Sequence, residues 1–464
     1  MRILIVGNDP HEIGGVANYT RPLAMNLAQS GHDVYYLFSG AWQKKYNWLF
    51  RPYLRIRRDD FPFECAELIN SPNWTNNLGC PLVDIGHPQT DKLFLKYINK
   101  INPDIMHVHS RFGLPASIIE IASRRGIKVF NTIHVYGFLC QKRVMIDQEG
   151  QPCSGPSDLE KCADCTGREN IGKLKLIARI DHTNKNIIKW LVSLKRTIAK
   201  ENRQESVLRP QRKSLSNLEK VKIKEGLARR LDYMVHLMNH CVAMNIGVST
   251  DVKRTLMRYG VKEKRLLVQH IGSTIAENQK KEAHGLHRPP VIGNIGGVSY
   301  YKGTHLLLDA VGKMNILNFK LKIFGKYEPV YVDKIMKGRE SLPVEFLGRY
   351  QPEELPQILD QIDIMVLPSI CHDTAPQTIF ESYSARVPII ASNIGGFPDF
   401  IRDGVNGRLF QPGDSRDLAE KLDEILKSPD KIGHFAQNIP PLKTIKENAE
   451  ELISLYEKST VGSL

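Results

Sequence analysis

Residues 363–381 read Asp363-Ile-Met-Val-Leu-Pro368-Ser-Ile-Cys-His-Asp373-Thr-Ala-Pro376-Gln-Thr-Ile-Phe-Glu381. The unbroken apolar run ending at Leu367 has the character of a strand buried on both faces. Pro368 ends it, a loop carries Asp373, and Pro376 opens a helix, because proline suits the first helical turn. Glu381 follows inside that helix, roughly 10 Å further on at about 1.5 Å per residue. The free amides of the first turn, at Gln377 and Thr378, lie between the two carboxylates. A helix N-terminus attracts phosphate through its amides and its dipole. Carboxylates on either side of a phosphate site suit a ligand with hydroxyls on both sides of a diphosphate, as in a nucleotide-sugar.

The same strand–loop–helix alternation extends in both directions. Downstream, Val387 to Ala391 predicts a strand and Ser415 to Ser428 a helix. Upstream, strands are predicted at Pro290 to Ile295, Lys320 to Phe324 and Val344 to Leu347, with helices near Gly303 to Met314 and Pro352 to Gln361. Arg2 to Val6, Asp33 to Phe38, Asp104 to His109, Lys128 to Ile133 and Cys241 to Ser249 predict an N-terminal strand series, with helices at Val16 to Gln29 and Leu114 to Arg124. The fold class is therefore α/β, with two doubly wound Rossmann-like domains facing across a cleft. The expected organisation is an N-terminal domain at 1–272, a linker at 273–288, a second domain at 289–430 that holds the nucleotide-sugar site of residues 363–381, and a helical tail at 431–464 that packs back on the first domain. The first domain carries a cysteine-rich insertion at about 138–168 and a basic helical segment at about 169–240.

Composition excludes other classes. The chain has 464 residues, 42% hydrophobic and 25% charged, as in ordinary globular proteins. No apolar run is long enough for a membrane span, and the short apolar start reads as a first strand rather than a signal sequence. A cytoplasmic protein is expected, peripheral on the inner face of the membrane. The net charge is +14, and Thr166 to His240 holds 18 lysines and arginines against 7 acidic residues. Ile187, Ile188, Leu191, Val192 and Leu194 lie among Lys185, Lys189, Lys195 and Arg196, as in an interfacial helix on an anionic membrane. Packing of that stripe against the N-terminal domain is the alternative.

Four of the eight cysteines cluster as Cys140, Cys153, Cys162 and Cys165. The C-x2-C ending and turn-rich surroundings favour a structural tetrathiolate zinc site holding a loop that lacks apolar residues of its own, with free thiols or an iron–sulfur cluster as the alternatives. His107 and His109 lie on one strand. One of them is expected to be buried, and neither is given a role.

Ile292 to Asp414 resembles the donor half of retaining GT-B glycosyltransferases of family four, the group 1 glycosyltransferases. The resemblance rests on Tyr301-Lys302-Gly303, Phe346-Leu347-Gly348, Val366-Leu367-Pro368-Ser369, the Asp373/Glu381 pair, Val387 to Ser392, Gly395-Gly396-Phe397-Pro398-Asp399, Asp403 to Gly407 and Leu409 to Asp414. Gly14-Gly15-Val16, Gly31-His32-Asp33-Val34, His107-Val108-His109 and Thr132-Ile133-His134 resemble its N-terminal half, and some family members share a cysteine-bearing insertion. The resemblance implies that Glu381 holds the donor ribose, Asp373 lies near the sugar hydroxyls and Lys302 binds the diphosphate. It also implies that Gly15 lets backbone approach the donor phosphate and that His134 sits near the reacting sugar. Asp373 departs from the family's usual glutamate, and Gly297 stands where an arginine is common.

The function implied is transfer of a sugar from a UDP- or GDP-sugar to a polysaccharide or lipid-linked acceptor, with retention. The chain has no D-x-D triplet, which agrees with a donor site that uses no catalytic metal. Two alternatives compete with this reading: a nucleic-acid-binding zinc protein, and a sugar phosphorylase or epimerase on the same fold. The first leaves Asp373, Glu381 and Lys302 unexplained and lacks a base-stacking surface, so no nucleic-acid partner is expected.

Overall fold

The continuous apolar segments become inner strands of two sheets covered by helices. The computed structural model describes residues 1–40, 51–73, 80–166, 215–316 and 318–460. The first sheet contains β1 (Arg2–Val6), β2 (Asp33–Ser39), β3 (Tyr53–Arg57), β4 (Glu64–Ile69), β5 (Ile105–Val108), β6 (Lys128–Ile133), β7 (Met244–Gly247) and β8 (Leu266–Val268). Their order is β3-β4-β2-β1-β5-β6-β7-β8, with only β3 running antiparallel to its neighbour. The helices of this half are α1 (Gly15–Gln29), α2 (Pro88–Ile101), α3 (Ser117–Arg124), α4 (Leu159–Thr166), α5 (Asn217–His240) and α6 (Thr250–Arg258). Ile3, Leu4 and Ile5 are fully buried, each contributing about 1.5–3 kcal/mol by leaving water.

The second sheet, wholly parallel, comprises β9 (Val291–Ile295), β10 (Lys320–Phe324), β11 (Val344–Gly348), β12 (Ile364–Leu367), β13 (Ile389–Ser392) and β14 (Gly407–Phe410). Its order is β11-β10-β9-β12-β13-β14. Its helices are α7 (Thr304–Val311), α8 (Pro329–Met336), α9 (Leu355–Leu359), α10 (Gln377–Ser384), α11 (Phe397–Phe400), α12 (Ser415–Lys427) and α13 (Asp430–Gln437). The last helix, α14 (Ile445–Thr460), returns to the first domain. Its Ile445, Ala449, Leu452 and Tyr456 join that domain's core, and Tyr19 on α1 donates to Asn448 at 2.8 Å.

In both sheets strand order reverses at the first strand, β1 and β9, and such switch points open a crevice at the strand ends. The two crevices face each other. Thr374 donates to the His134 carbonyl at 2.6 Å, and His372 Nδ1 lies 3.1 Å from Asp251. Asp399 of the second domain accepts from the Thr250 amide at 2.6 Å, at the start of α6.

Several expectations need correction. Cys241 caps α5 and does not begin a strand, so β7 is shorter than the apolar run. The C-terminal part of the basic segment is no free surface helix: α5 buries Met234, Leu237 and Met238 in the first core. The interfacial residues Ile187 to Arg196 lie outside the described residues. The cysteine insertion does have apolar packing, since Leu159 and Ala163 on α4 meet Ile223 and Leu227 on α5. His107 and His109 are both buried, because positions two apart on a strand share a face.

Candidate active site

The donor-side loop is fixed by backbone. Gly303 caps α7 with φ +76°, and a Cβ there would lie 1.8 Å from the Pro368 carbonyl oxygen. That approach lays Tyr301 and Lys302 against the end of β12, where the Ile370 amide donates to the Tyr301 carbonyl at 3.0 Å. Lys302 Nζ thereby reaches both oxygens of Asp373, at 3.0 and 2.8 Å. Burial works against the lysine's charge, and the Asp373 carboxylate outweighs it, holding Lys302 above the usual lysine range. The Gly395-Gly396 pair clamps the same loop from below. The Gly396 amide donates to the Asp373 carbonyl at 2.7 Å, and a Cβ on Gly395 would lie 2.5 Å from that oxygen.

Helix α10 begins at Gln377 after Pro376, so its first-turn amides face the same cleft. Thr378 lines the cleft together with Lys302, Asp373, Asn294 and Gly297. Gly297 leaves that wall bare where a larger residue would fill it. Gln377 points at the opposite domain: a methyl on Gly15 would meet its Cγ at 3.8 Å. Glu381 lies one helical turn further in, and burial raises its carboxyl to about 7.

His134 ends β6 on the acceptor side and is buried. Its Nε2 lies 3.1 Å from Nδ1 of His109, so one imidazole donates to the other. Burial pushes His134 down to about 3 and His109 well below its ordinary value, so both are neutral at pH 7. His107 behind them is held between Tyr456 and Thr132, the latter at 2.8 Å, and serves the packing of α14.

Cys140, Cys153, Cys162 and Cys165 line one small cavity in the insertion. Burial, then the charges of the other three thiols, pushes Cys162 up to about 12. No three of these sulfurs lie within 4.8 Å of one another. Among the described residues the one group of metal-capable side chains that close is His284, His287 and Asp363. Sequence reasoning missed that group. It sits at the start of β12, away from the cleft, and fastens the linker: Asp363 accepts from His287 Nδ1 at 2.9 Å and from the Val291 amide at 2.7 Å.

Sequence reasoning also missed a cluster of arginines behind His134. Arg111 and Arg230 both bind Asp84, and Arg143 stands beside them. A signal was present on α5, where Arg230 interrupts the apolar stripe of Leu227, Met234 and Leu237.

Residues 276–441 match the sequence profile of the family described as glycosyl transferases group 1. Residues 13–148 match that of glycosyltransferase family 4. The spore coat protein SA of Bacillus subtilis is 26% identical over 199 residues, 40% of this chain and 53% of that protein. The matched stretch thus spans about half the length of that relative. Among solved structures, the sucrose-phosphate synthase of Thermosynechococcus elongatus superposes with a TM-score of 0.64 at 15% identity, covering 100% of both chains. The Anabaena protein HepE, solved with UDP-glucose, gives a TM-score of 0.55 at 15% identity over 98% of this chain and 100% of that one. These likenesses establish the GT-B arrangement of two facing Rossmann-like domains, and the family matches do not favour the nucleic-acid alternative. No helix among the described residues is long and apolar enough to cross a membrane.

Proposed function

We propose that this chain, a glycosyltransferase of the group 1 family, moves a sugar from a nucleotide diphosphate donor to a glycan or lipid-linked acceptor with retention at the anomeric carbon. The observation that carries the reading is the Lys302–Asp373 pair at the mouth of α10, with Glu381 half-buried beyond it and Gly15 opposite. A diphosphate entering the cleft meets the Lys302 ammonium and the α10 amides. Asp373 is then free to accept hydrogen bonds from the sugar hydroxyls. Glu381 accepts from the ribose hydroxyls, which supply donors to an otherwise poorly solvated carboxylate. The UDP-glucose bound by HepE supports a uridine or similar nucleotide as the carrier.

In the reaction the bond between the anomeric carbon and the phosphate oxygen breaks, and its electron pair leaves with the diphosphate. The acceptor hydroxyl forms the new bond on the same face and gives its proton to the departing phosphate oxygen. Lys302 stabilises the charge that grows on that phosphate, so donor activation needs no metal ion. His134, neutral and held by His109, packs beside the reacting sugar and takes no proton.

We extend the proposal to the insertion, whose four thiols line one cavity and would hold a structural zinc through sulfur ligands. Binding would draw the sulfurs closer together than they stand. The insertion reaches the donor loop, where Gln151 donates to Tyr300 at 2.9 Å, two residues before Lys302. A metal here would steady the cleft without touching the reacting bond. Incubation with a panel of nucleotide-sugars and candidate glycan acceptors tests the proposed function. It should yield free nucleoside diphosphate and a product whose anomeric configuration by NMR matches the donor's. An inverted product would sink the retaining mechanism.

A further inference from the structure

The acceptor side of the cleft contains a second polar cavity, behind His134, that the donor chemistry does not use. Arg111, Arg143 and Arg230 line it with Asp84 and Asn73. Five separate segments supply these residues: the stretch after β4, the 3-10 turn before α2, the turn after β5, the insertion and α5. Arg230 and Arg111 are almost wholly buried, at 2% and 8% exposure. Arg230 Nε donates to Asp84 at 2.7 Å and Arg111 Nη1 donates to it at 3.0 Å. Backbone carbonyls of Gly137, Phe138 and Leu139 take further Arg230 donors.

One carboxylate therefore answers three guanidinium groups, and the neighbouring histidines are neutral. Although burial opposes its charge, the three arginines hold Asp84 well below the usual carboxylate range. The cavity is left with two positive charges that no described side chain balances. Arg143 carries the imbalance. It makes no ion pair among the described residues and lies over the Phe112 ring at 4.6 Å. Its backbone sits at φ +71°, a conformation costly for a side chain of this size. Burial, with Arg111 and Arg230 beside it, pushes it down to about 10, against the pull of Asp84. Among the free polar atoms in the cavity wall is Arg111 Nε, buried without a hydrogen-bond partner.

We propose that this cavity binds a phosphate group carried by the acceptor. The inference rests on the glycosyltransferase reading and names the acceptor class for it. A phosphate monoester carries about −1.5 to −2 charges at pH 7 and three acceptor oxygens. It matches the two unbalanced charges, whereas a single carboxylate would leave one. Guanidinium forks pair with phosphate oxygens two at a time. The location suits an acceptor, because the His134 carbonyl that borders the cavity also takes the hydroxyl of Thr374, next to Asp373. A phosphate seated here would anchor the acceptor while its hydroxyl reaches the donor's anomeric carbon.

Calorimetric titration of the full chain with inorganic phosphate tests this, using wild type, Arg143→Met and Lys302→Met. The expected result is binding that weakens at least tenfold in Arg143→Met and persists in Lys302→Met. Loss in Lys302→Met alone, or no binding to wild type, would overturn it. Arg143→Lys, which keeps a charge, should retain part of the affinity, and equal melting temperatures exclude misfolding. Three further probes separate the sources of the anion. Binding of glucose 6-phosphate points to a soluble sugar phosphate, and binding of a short polyprenyl diphosphate in micelles to a lipid carrier. Tighter binding of galacturonate than of either would contradict a phosphate site. Release of nucleotide from the donor is measured in parallel. Phosphate binding without it leaves the cavity and removes the donor reading, and the reverse result removes the cavity alone.

Discussion

Replacing Glu381 by glutamine should make the ligand-free protein more stable and a worse enzyme. Burial raises this carboxyl from its ordinary 4.5 to about 7. At about 1.4 kcal/mol per pH unit, keeping it ionised in the folded state costs on the order of 3 kcal/mol. Below pH 4.5 the group is neutral both folded and unfolded, and no cost arises. As pH rises through 7 the unfolded chain ionises freely while the folded one resists, so stability is lost. Glutamine is neutral throughout. In urea titrations of the ligand-free protein, Glu381→Gln and wild type should have similar midpoints at pH 4, and the variant should be the more stable by up to about 3 kcal/mol at pH 8.5. Donor affinity should fall roughly tenfold or more, because a charge-assisted hydrogen bond to the ribose becomes a neutral one. A stability difference that does not change with pH would refute the reasoning, since it would mean the carboxylate is not held against its charge.

Lys302→Met should lower kcat/KM by roughly ten- to hundredfold while leaving the melting temperature almost unchanged, because partly exposed ion pairs such as Lys302–Asp373 contribute about 1 kcal/mol or less. A large loss of stability would show the lysine to be structural. Gly15→Ala should fold normally, its methyl meeting only Gln377 at 3.8 Å, yet raise the donor KM by narrowing the gap to α10. An unchanged KM would place the donor elsewhere. Elemental analysis should find one zinc per chain, lost in Cys162→Ser together with faster proteolysis within residues 140–166. Less than about a tenth of an equivalent, with all four thiols titratable, removes the metal.

The limits of several elements can be read from the residues themselves. Arg2–Val6, Lys128–Ile133 and Lys320–Phe324 are strands to the residue, short segments rich in β-branched and aromatic residues and bounded by polar or turn residues. β3 escapes such reading: Tyr53–Arg57 is a half-exposed edge strand with two arginines, and its partnership with β4 is made by tertiary pairing. The candidate site divides in the same way. Lys302, Asp373 and Glu381 are visible as motif positions. The ion pair between Lys302 and Asp373 is not, since 71 residues separate them and only the Gly303–Pro368 approach unites them. The arginine cavity is hidden for the same reason. Its three arginines come from three distant segments, and each alone looks like one more basic residue in a chain of charge +14.

The most direct test is the initial rate of nucleoside diphosphate release from UDP- and GDP-sugars, measured with excess chelator for wild type and Glu381→Ala. Wild type should turn over at least one donor in a short assay, and the chelator should not abolish that turnover. Glu381→Ala should show a raised donor KM and reduced turnover with the fold intact. Wild-type kinetics in Glu381→Ala, or a strict requirement for magnesium, would contradict a donor site built from Lys302, Asp373, Glu381 and the N-terminus of α10.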